Sequence, residues 1–185
     1  MHKELEVKDM IDAIIIDSKP DCKDFQGLYK NLGGTILINP TQRAIHSLLF
    51  HSRNTLLLSG HGSPDGLFNY DWSRFAISRR DVRFLRLRTI IGVWCYASEF
   101  ADTYNLHGFF SSMFISTPDE AMQHWMNDWT PESITLQNVL FSEKLNYLMA
   151  SSIPMNQWVS ILQSDIDKNS PDFVRFNYEA LTYYI

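Results

Sequence analysis

Two side chains in this sequence can do covalent chemistry together: His61, set between glycines in Ser59-Gly60-His61-Gly62, and Cys95, in Val93-Trp94-Cys95-Tyr96. A thiolate attacks carbonyl carbon and an imidazole carries protons, so the pair points to acyl transfer through a thioester. Far apart in sequence, the two can meet only through the fold. The neighbouring glycines let the backbone turn sharply and let a substrate approach the main chain. The N–H groups of Gly62 and Cys95 are then candidates for oxyanion donors. Each residue also has a plainer reading. His61 can be a turn histidine bonded to its own loop, and Cys95 a small buried hydrophobe at a strand end.

The positioning elements are apolar runs. Thr55-Leu56-Leu57-Leu58-Ser59 precedes the histidine and Thr89-Ile90-Ile91-Gly92-Val93 precedes the cysteine, with chain between them for a hairpin or loop and one short helix. This spacing predicts a βαβ unit with both residues at the carboxyl end of one sheet, where open α/β folds hold ligands. A helix predicted over Ser98 to Tyr104 starts beside the sulfur, so its dipole, together with His61, is expected to lower the thiol pKa from about 8.5.

Residues 1–11 read as a charged, fraying or short polar element. Ala13-Ile14-Ile15-Ile16 reads as a first strand buried on both faces, and Thr35-Ile36-Leu37-Ile38-Asn39 as a second. A turn at Lys19-Pro20-Asp21 is followed by a loose helix over 22–32. A further helix from Pro40 to Ser52 carries Ala44, Ile45, Leu48 and Leu49 as its core stripe. Leu67–Tyr70 suggests a hairpin arm. A crossover helix from Ser78 turns Val82, Phe84 and Leu85 inward, and Ser112–Ser116 is expected to be a fifth strand. Thr117-Pro118-Asp119-Glu120, Thr130-Pro131-Glu132 and Ser170-Pro171-Asp172 are cap-plus-proline helix starts. Helices are predicted to about Ser151 and over 154–168. The expected architecture is one α/β domain over 1–185, with a mostly parallel sheet in a core of about 12–127 and a helical extension over 128–185.

Composition narrows the function classes. The chain has 185 residues, 45% apolar and 20% charged, with net charge −5. That balance argues against nucleic acid as a partner. Arg79, Arg80, Arg83, Arg86 and Arg88 fall at near-helical spacing and read as a solvated helix face ahead of an anion site. No long apolar run resembles a signal peptide or a membrane span, so a cytoplasmic protein without membrane contact is expected. The only cysteines are Cys22 and Cys95. They form no CxxC pair, no disulfide is expected, and the histidines show no HxH or HExxH spacing, so neither a metal nor another cofactor is implied. A Cys-x₅-Arg phosphatase loop fails because residue 101 is alanine. Gly-x-Ser-x-Gly and Gly-x-Gly-x-x-Gly are absent as well.

The strand ending in Ser59-Gly60-His61-Gly62 and the strand ending in Trp94-Cys95-Tyr96-Ala97-Ser98, with Gly66-Leu67-Phe68 and Ile77–Val82 between them, resemble the caspase-like cysteine peptidases, the group that includes metacaspases, legumain-like and gingipain-like enzymes. The resemblance covers roughly 12–127. It implies a cysteine endopeptidase acting on a peptide or protein substrate, with His61 as general acid/base, Cys95 as nucleophile and Gly62 as oxyanion donor. Ser59 and Asp17 would border the substrate site, although Asp17 reads first as a strand-ending turn residue. Val93 stands where metacaspases carry an acidic residue, so the resemblance gives no preference for Arg or Lys before the scissile bond. The His-to-Cys interval is shorter than in most caspases, and no processing linker is present. The rival expectation is a caspase-like module that binds without hydrolysing, its crevice crowded by Phe68, Trp72, Trp94 and Tyr96.

Overall fold

The computed structural model describes residues 10–17 and 20–185, with side chains in the second segment from residue 23 onward. Expectations for residues 1–9, for Lys19 and for the Cys22 side chain lie outside the described residues. In chain order the strands are β1 (Ile11–Ile15), β2 (Gly33–Ile38), β3 (Thr55–Ser59), β4 (Gly62–Ser63), β5 (Gly66–Phe68), β6 (Phe75–Ser78), β7 (Ile90–Val93), β8 (Gly108–Phe110) and β9 (Thr182–Tyr184). The helices are α1 (Gln42–His51), α2 (Val82–Leu85), α3 (Ala97–Tyr104), α4 (Pro118–Gln123), α5 (Pro131–Ala150), α6 (Trp158–Gln163) and α7 (Asp172–Glu179), with 3₁₀ turns at Pro20–Tyr29 and Met155–Gln157.

One six-stranded sheet runs in the order β2-β1-β3-β7-β8-β9, parallel throughout except for the antiparallel edge strand β9. β4, β5 and β6 form a separate antiparallel meander. The inner strands are largely apolar because helices cover both faces, and the one buried charge among them, Asp12 in β1, accepts from the Thr35 N–H and the Ser52 hydroxyl. Ala13, Ile15, Leu57, Ile91 and Phe109 pack with α5, α6 and α7 on one side. Ile14, Leu56, Leu58, Ile90 and Phe110 pack with α1 and α3 on the other. Each such fully buried large side chain contributes roughly 1.5–3 kcal/mol. Among the described residues no helix is long and apolar enough to cross a membrane.

Several elements differ from their sequence expectation. β2 is an edge strand rather than a buried one. It has a neighbour on one side, and Ile36 and Ile38 are exposed. The fifth parallel strand is Gly108–Phe110, not Ser112–Ser116. Gly108 enters it with φ +140, where a Cβ would strike the Ile90 carbonyl, so glycine permits the close approach to β7. Residues 112–116 instead leave the sheet as a loop. The crossover helix shrinks to the single turn α2, with Phe84 half-buried. Thr117 and Thr130 cap α4 and α5 in full capping boxes as expected, but α7 starts from Pro171 without a side-chain cap. The C-terminal part is not wholly helical, since β9 returns to close the sheet edge.

Candidate active site

β3 and β7 are parallel neighbours in which Ser59 is the register partner of Val93. The Gly60 N–H donates to the Val93 carbonyl at 3.2 Å, so pairing persists one residue past β3. His61 and Cys95 therefore leave the sheet two positions beyond the same paired residues. Both line one cleft outside the carboxyl ends of β1, β3 and β7. Here the connections from β1 diverge, to β2 on one side and then to β3 on the other, which is the switch point where open α/β sheets bind ligands.

The cleft is narrow, about 40 Å³, which is space for a few water molecules. Ile15 and Ile16 border it from β1 and its exit. Phe25 and Tyr29 reach it from the first 3₁₀ turn, Trp94 from the end of β7, and Phe114 and Ser116 from the loop after β8. Ser59 and Gly60 complete the histidine side. Asp17 does not line this wall. Its N–H donates to Asn39 Oδ1 at 2.8 Å and its carbonyl accepts from Asn39 Nδ2 at 3.0 Å, an arrangement that ends β1.

Cys95 sits in a strand–turn–helix reversal. Tyr96, which follows it, is left-handed at φ 69, ψ 26, a conformation that costs a non-glycine residue roughly 1–2 kcal/mol. The helix α3 begins at Ala97, close to its expected start, but its first N–H groups are already engaged. Ala97 donates to the Trp94 carbonyl at 3.1 Å and Ser98 to the Ser111 carbonyl at 2.9 Å. The Cys95 Sγ–H donates to the Phe114 carbonyl at 3.6 Å.

Burial pushes the Cys95 thiol up to about 12, and the carboxylates of Glu120 and then Glu99 add to the shift. Main-chain hydrogen bonding at Phe114 and at Cys95 itself acts in the opposite direction without balancing it. The lowered pKa expected from the helix dipole is thus reversed. Desolvation and two nearby negative charges outweigh a helix end whose first donors are taken. Both carboxylates are firmly held. Glu99 accepts from Ser98 Oγ at 2.8 Å and Ser112 Oγ at 2.6 Å. Glu120 Oε2 accepts from the Ser116 N–H and hydroxyl and from the Thr117 N–H, at 2.8, 2.9 and 3.0 Å.

The β4–β6 meander begins directly after His61. Phe68 N–H donates to the His61 carbonyl at 2.9 Å, which makes Gly62–Leu67 the wide pair and turns the Gly62 N–H away from β5. A Cβ on Gly62 would collide with the Trp94 ring and the Gly66 carbonyl, so glycine is needed for packing quite apart from any substrate. Trp94 Nε1 fastens the meander by donating to the Ser63 carbonyl at 3.3 Å. From the β5–β6 loop Trp72, left-handed at φ 61, brings its indole to 5.0 Å from the His61 ring and 5.4 Å from Phe68. Trp72 remains 44% exposed and its ring lies tilted by 38° against the imidazole.

The opposite wall is held by residues that no sequence pattern singled out. Asn177 on α7 accepts from the Ile115 N–H at 2.6 Å and donates to the Ile115 carbonyl at 2.9 Å, and Asn138 on α5 donates to the Ser116 carbonyl at 2.9 Å. Both asparagines are buried. The C-terminal helices therefore fix the loop that presents Phe114 to the sulfur. Glu120 lay within a recognised capping box, but nothing in its spacing to Cys95 announced its closeness. Among the described residues no cluster of His, Cys, Asp and Glu is arranged to hold a metal ion.

Compared with family models, with curated proteins and with solved structures, the chain matches none of them.

Proposed function

We propose that the chain is a cysteine endopeptidase with a caspase-like core, using His61 and Cys95. The observation that carries this reading is the in-register pairing of β3 with β7, which brings both residues out at one cleft. Because burial and two carboxylates hold the sulfur as a thiol, the attack begins from the protonated sulfur rather than from a preformed thiolate. Substrate entry displaces the Trp72 indole and widens the narrow cleft. Sγ then turns from the Phe114 carbonyl toward His61, whose ring nitrogen takes the proton as the sulfur–carbon bond forms. Charge gathers on the carbonyl oxygen, for which the N–H groups of Gly62 and Cys95 are the candidate donors. Collapse of the adduct breaks the carbon–nitrogen bond, and the imidazolium returns its proton to the leaving amine. Water, deprotonated by His61, hydrolyses the thioester.

A second reading has specific observations in its favour. A thiol pushed up to about 12 and an indole packed against the imidazole suit a module that binds without turnover. Digestion of a diverse peptide library, followed by mass spectrometry of new termini, separates the two. The peptidase reading expects cleavages that disappear in both Cys95→Ala and His61→Ala. Cleavage that persists in Cys95→Ala, or none by the folded native protein, overturns it.

A further inference from the structure

A second concavity lies apart from the cysteine. It is a groove of about 1140 Å³ between α1, the β4–β6 meander and the turn leading into α2. Five arginines line it: Arg43 from α1, Arg74 from the meander, and Arg79, Arg80 and Arg83 from the turn and α2. All five are exposed, and among the described residues none forms an ion pair within 4.0 Å. The two aspartates of the groove do little to neutralise them. Asp81 is buried, accepts from the Ser78 N–H at 3.0 Å and faces His46 at 3.2 Å, while Asp65 is solvated at a turn. The arginine run is thus not one solvated helix face. Arg86 and Arg88 are used structurally, donating to the Tyr104 carbonyl and to the carbonyls of Leu49 and Ser52, whereas the other three join arginines from two separate elements.

We propose that this groove docks an acidic polypeptide segment. Guanidinium groups are planar forks matched to carboxylates, and the groove is lined by arginine with no lysine. Its volume of about 1140 Å³ exceeds the roughly 300–1,000 Å³ of small-molecule pockets, and its arginines come from three separate elements, which favours a chain segment that can meet several of them. Nucleic acid fits less well. Phe75 is stacked on Phe68, Phe84 lies under Arg83 and Tyr104 packs edge-on with Phe100, which leaves Phe50, 64% exposed and in edge contact with His51, as the most open aromatic of the groove, where single-strand grooves offer several. A strand with a charge at every step would also run beyond the groove onto a protein of net charge −5. A short acidic segment needs the local field alone. The inference stands apart from the hydrolytic reading. If that reading holds as well, Ser73 and Arg74, next in the chain to Trp72, make the groove begin beside the cleft and the docked segment part of the substrate.

The test is fluorescence anisotropy with the whole chain carrying Cys95→Ala to prevent turnover, using labelled 12-residue oligo-glutamate, 12-residue oligo-lysine and a 12-nucleotide oligo-dT. Oligo-glutamate is expected to bind in 50 mM NaCl and oligo-lysine not to bind. Affinity should fall roughly tenfold or more in Arg79→Glu/Arg83→Glu, and independently in Arg43→Glu on the opposite wall, with weakening at 500 mM NaCl. Unchanged circular dichroism in these surface variants ties the loss to the groove. Absence of oligo-glutamate binding, or binding that ignores both variants, overturns the proposal. So does tighter, arginine-dependent binding of oligo-dT, which would assign the groove to nucleic acid. None of these outcomes depends on turnover at Cys95.

Discussion

The cleft and the arginine groove are built by opposite means. The cleft is narrow, largely apolar and positioned by main-chain ladders, with Glu99 and Glu120 as the charges that shift its sulfur. The groove is wide and charged, assembled from exposed side chains on three elements. Backbone pairing fixes a reacting atom closely but leaves little room, whereas converging surface arginines offer room and charge without fixing any single atom. One region suits chemistry and the other suits holding an extended partner.

The largest expected separation between the two comes from His61→Ala. Removing the acid/base should lower peptide hydrolysis by roughly 10²- to 10⁴-fold, while anisotropy with oligo-glutamate changes less than about twofold. Equal losses in both assays would mean that the meander itself had shifted. Asn177→Ala comes next. It strands the buried N–H and carbonyl of Ile115 and should cost about 2–4 kcal/mol in urea unfolding. A change under about 0.5 kcal/mol would show that the loop is held otherwise.

pH sharpens the contrast further. Because the folded thiol lies near 12 and an unfolded one near 8.5, the unfolded chain loses its proton first. Stability from Cys95 is therefore complete below about pH 8.5 and is lost as pH rises toward 12, and Cys95→Ala should remove that decline. Alkylation of Cys95 by iodoacetamide should climb about tenfold per pH unit from 8 to 11, with no plateau near neutrality. A plateau above about pH 6 would reveal a preformed ion pair. The smallest effect belongs to Glu120→Gln, which can preserve the capping box while deleting a charge near the sulfur. Alkylation at pH 8 should rise by about two- to fivefold, with helix content unchanged.

The parts of this molecule that were legible in the sequence are those governed by local periodicity and turn chemistry. Continuous apolar runs announced β1, β3 and β7, and Thr-Pro starts announced α4 and α5. The same runs predicted that His61 and Cys95 leave one sheet edge, because neighbouring parallel strands share a carboxyl end. Long-range partners were not legible. Asn177 reaches Ile115 across 62 positions, and Glu120 nears Cys95 through the loop that replaced the expected Ser112–Ser116 strand. The thiol's direction of shift failed for the same reason. A helix start can be read from local sequence, but the desolvation and the carboxylates that outweigh it arise from tertiary packing. The arginine run was half legible, since its spacing was visible while its division between structural and groove-facing members depended on Arg43 and Arg74.

The most direct test of the central claim is a fluorescent acyloxymethyl ketone applied to the whole protein, with the labelled peptide identified by mass spectrometry. The hydrolytic account predicts label on Cys95, none in Cys95→Ala and markedly slower labelling in His61→Ala. Label confined to Cys22, or a folded protein whose Cys95 is left unmodified, would contradict it.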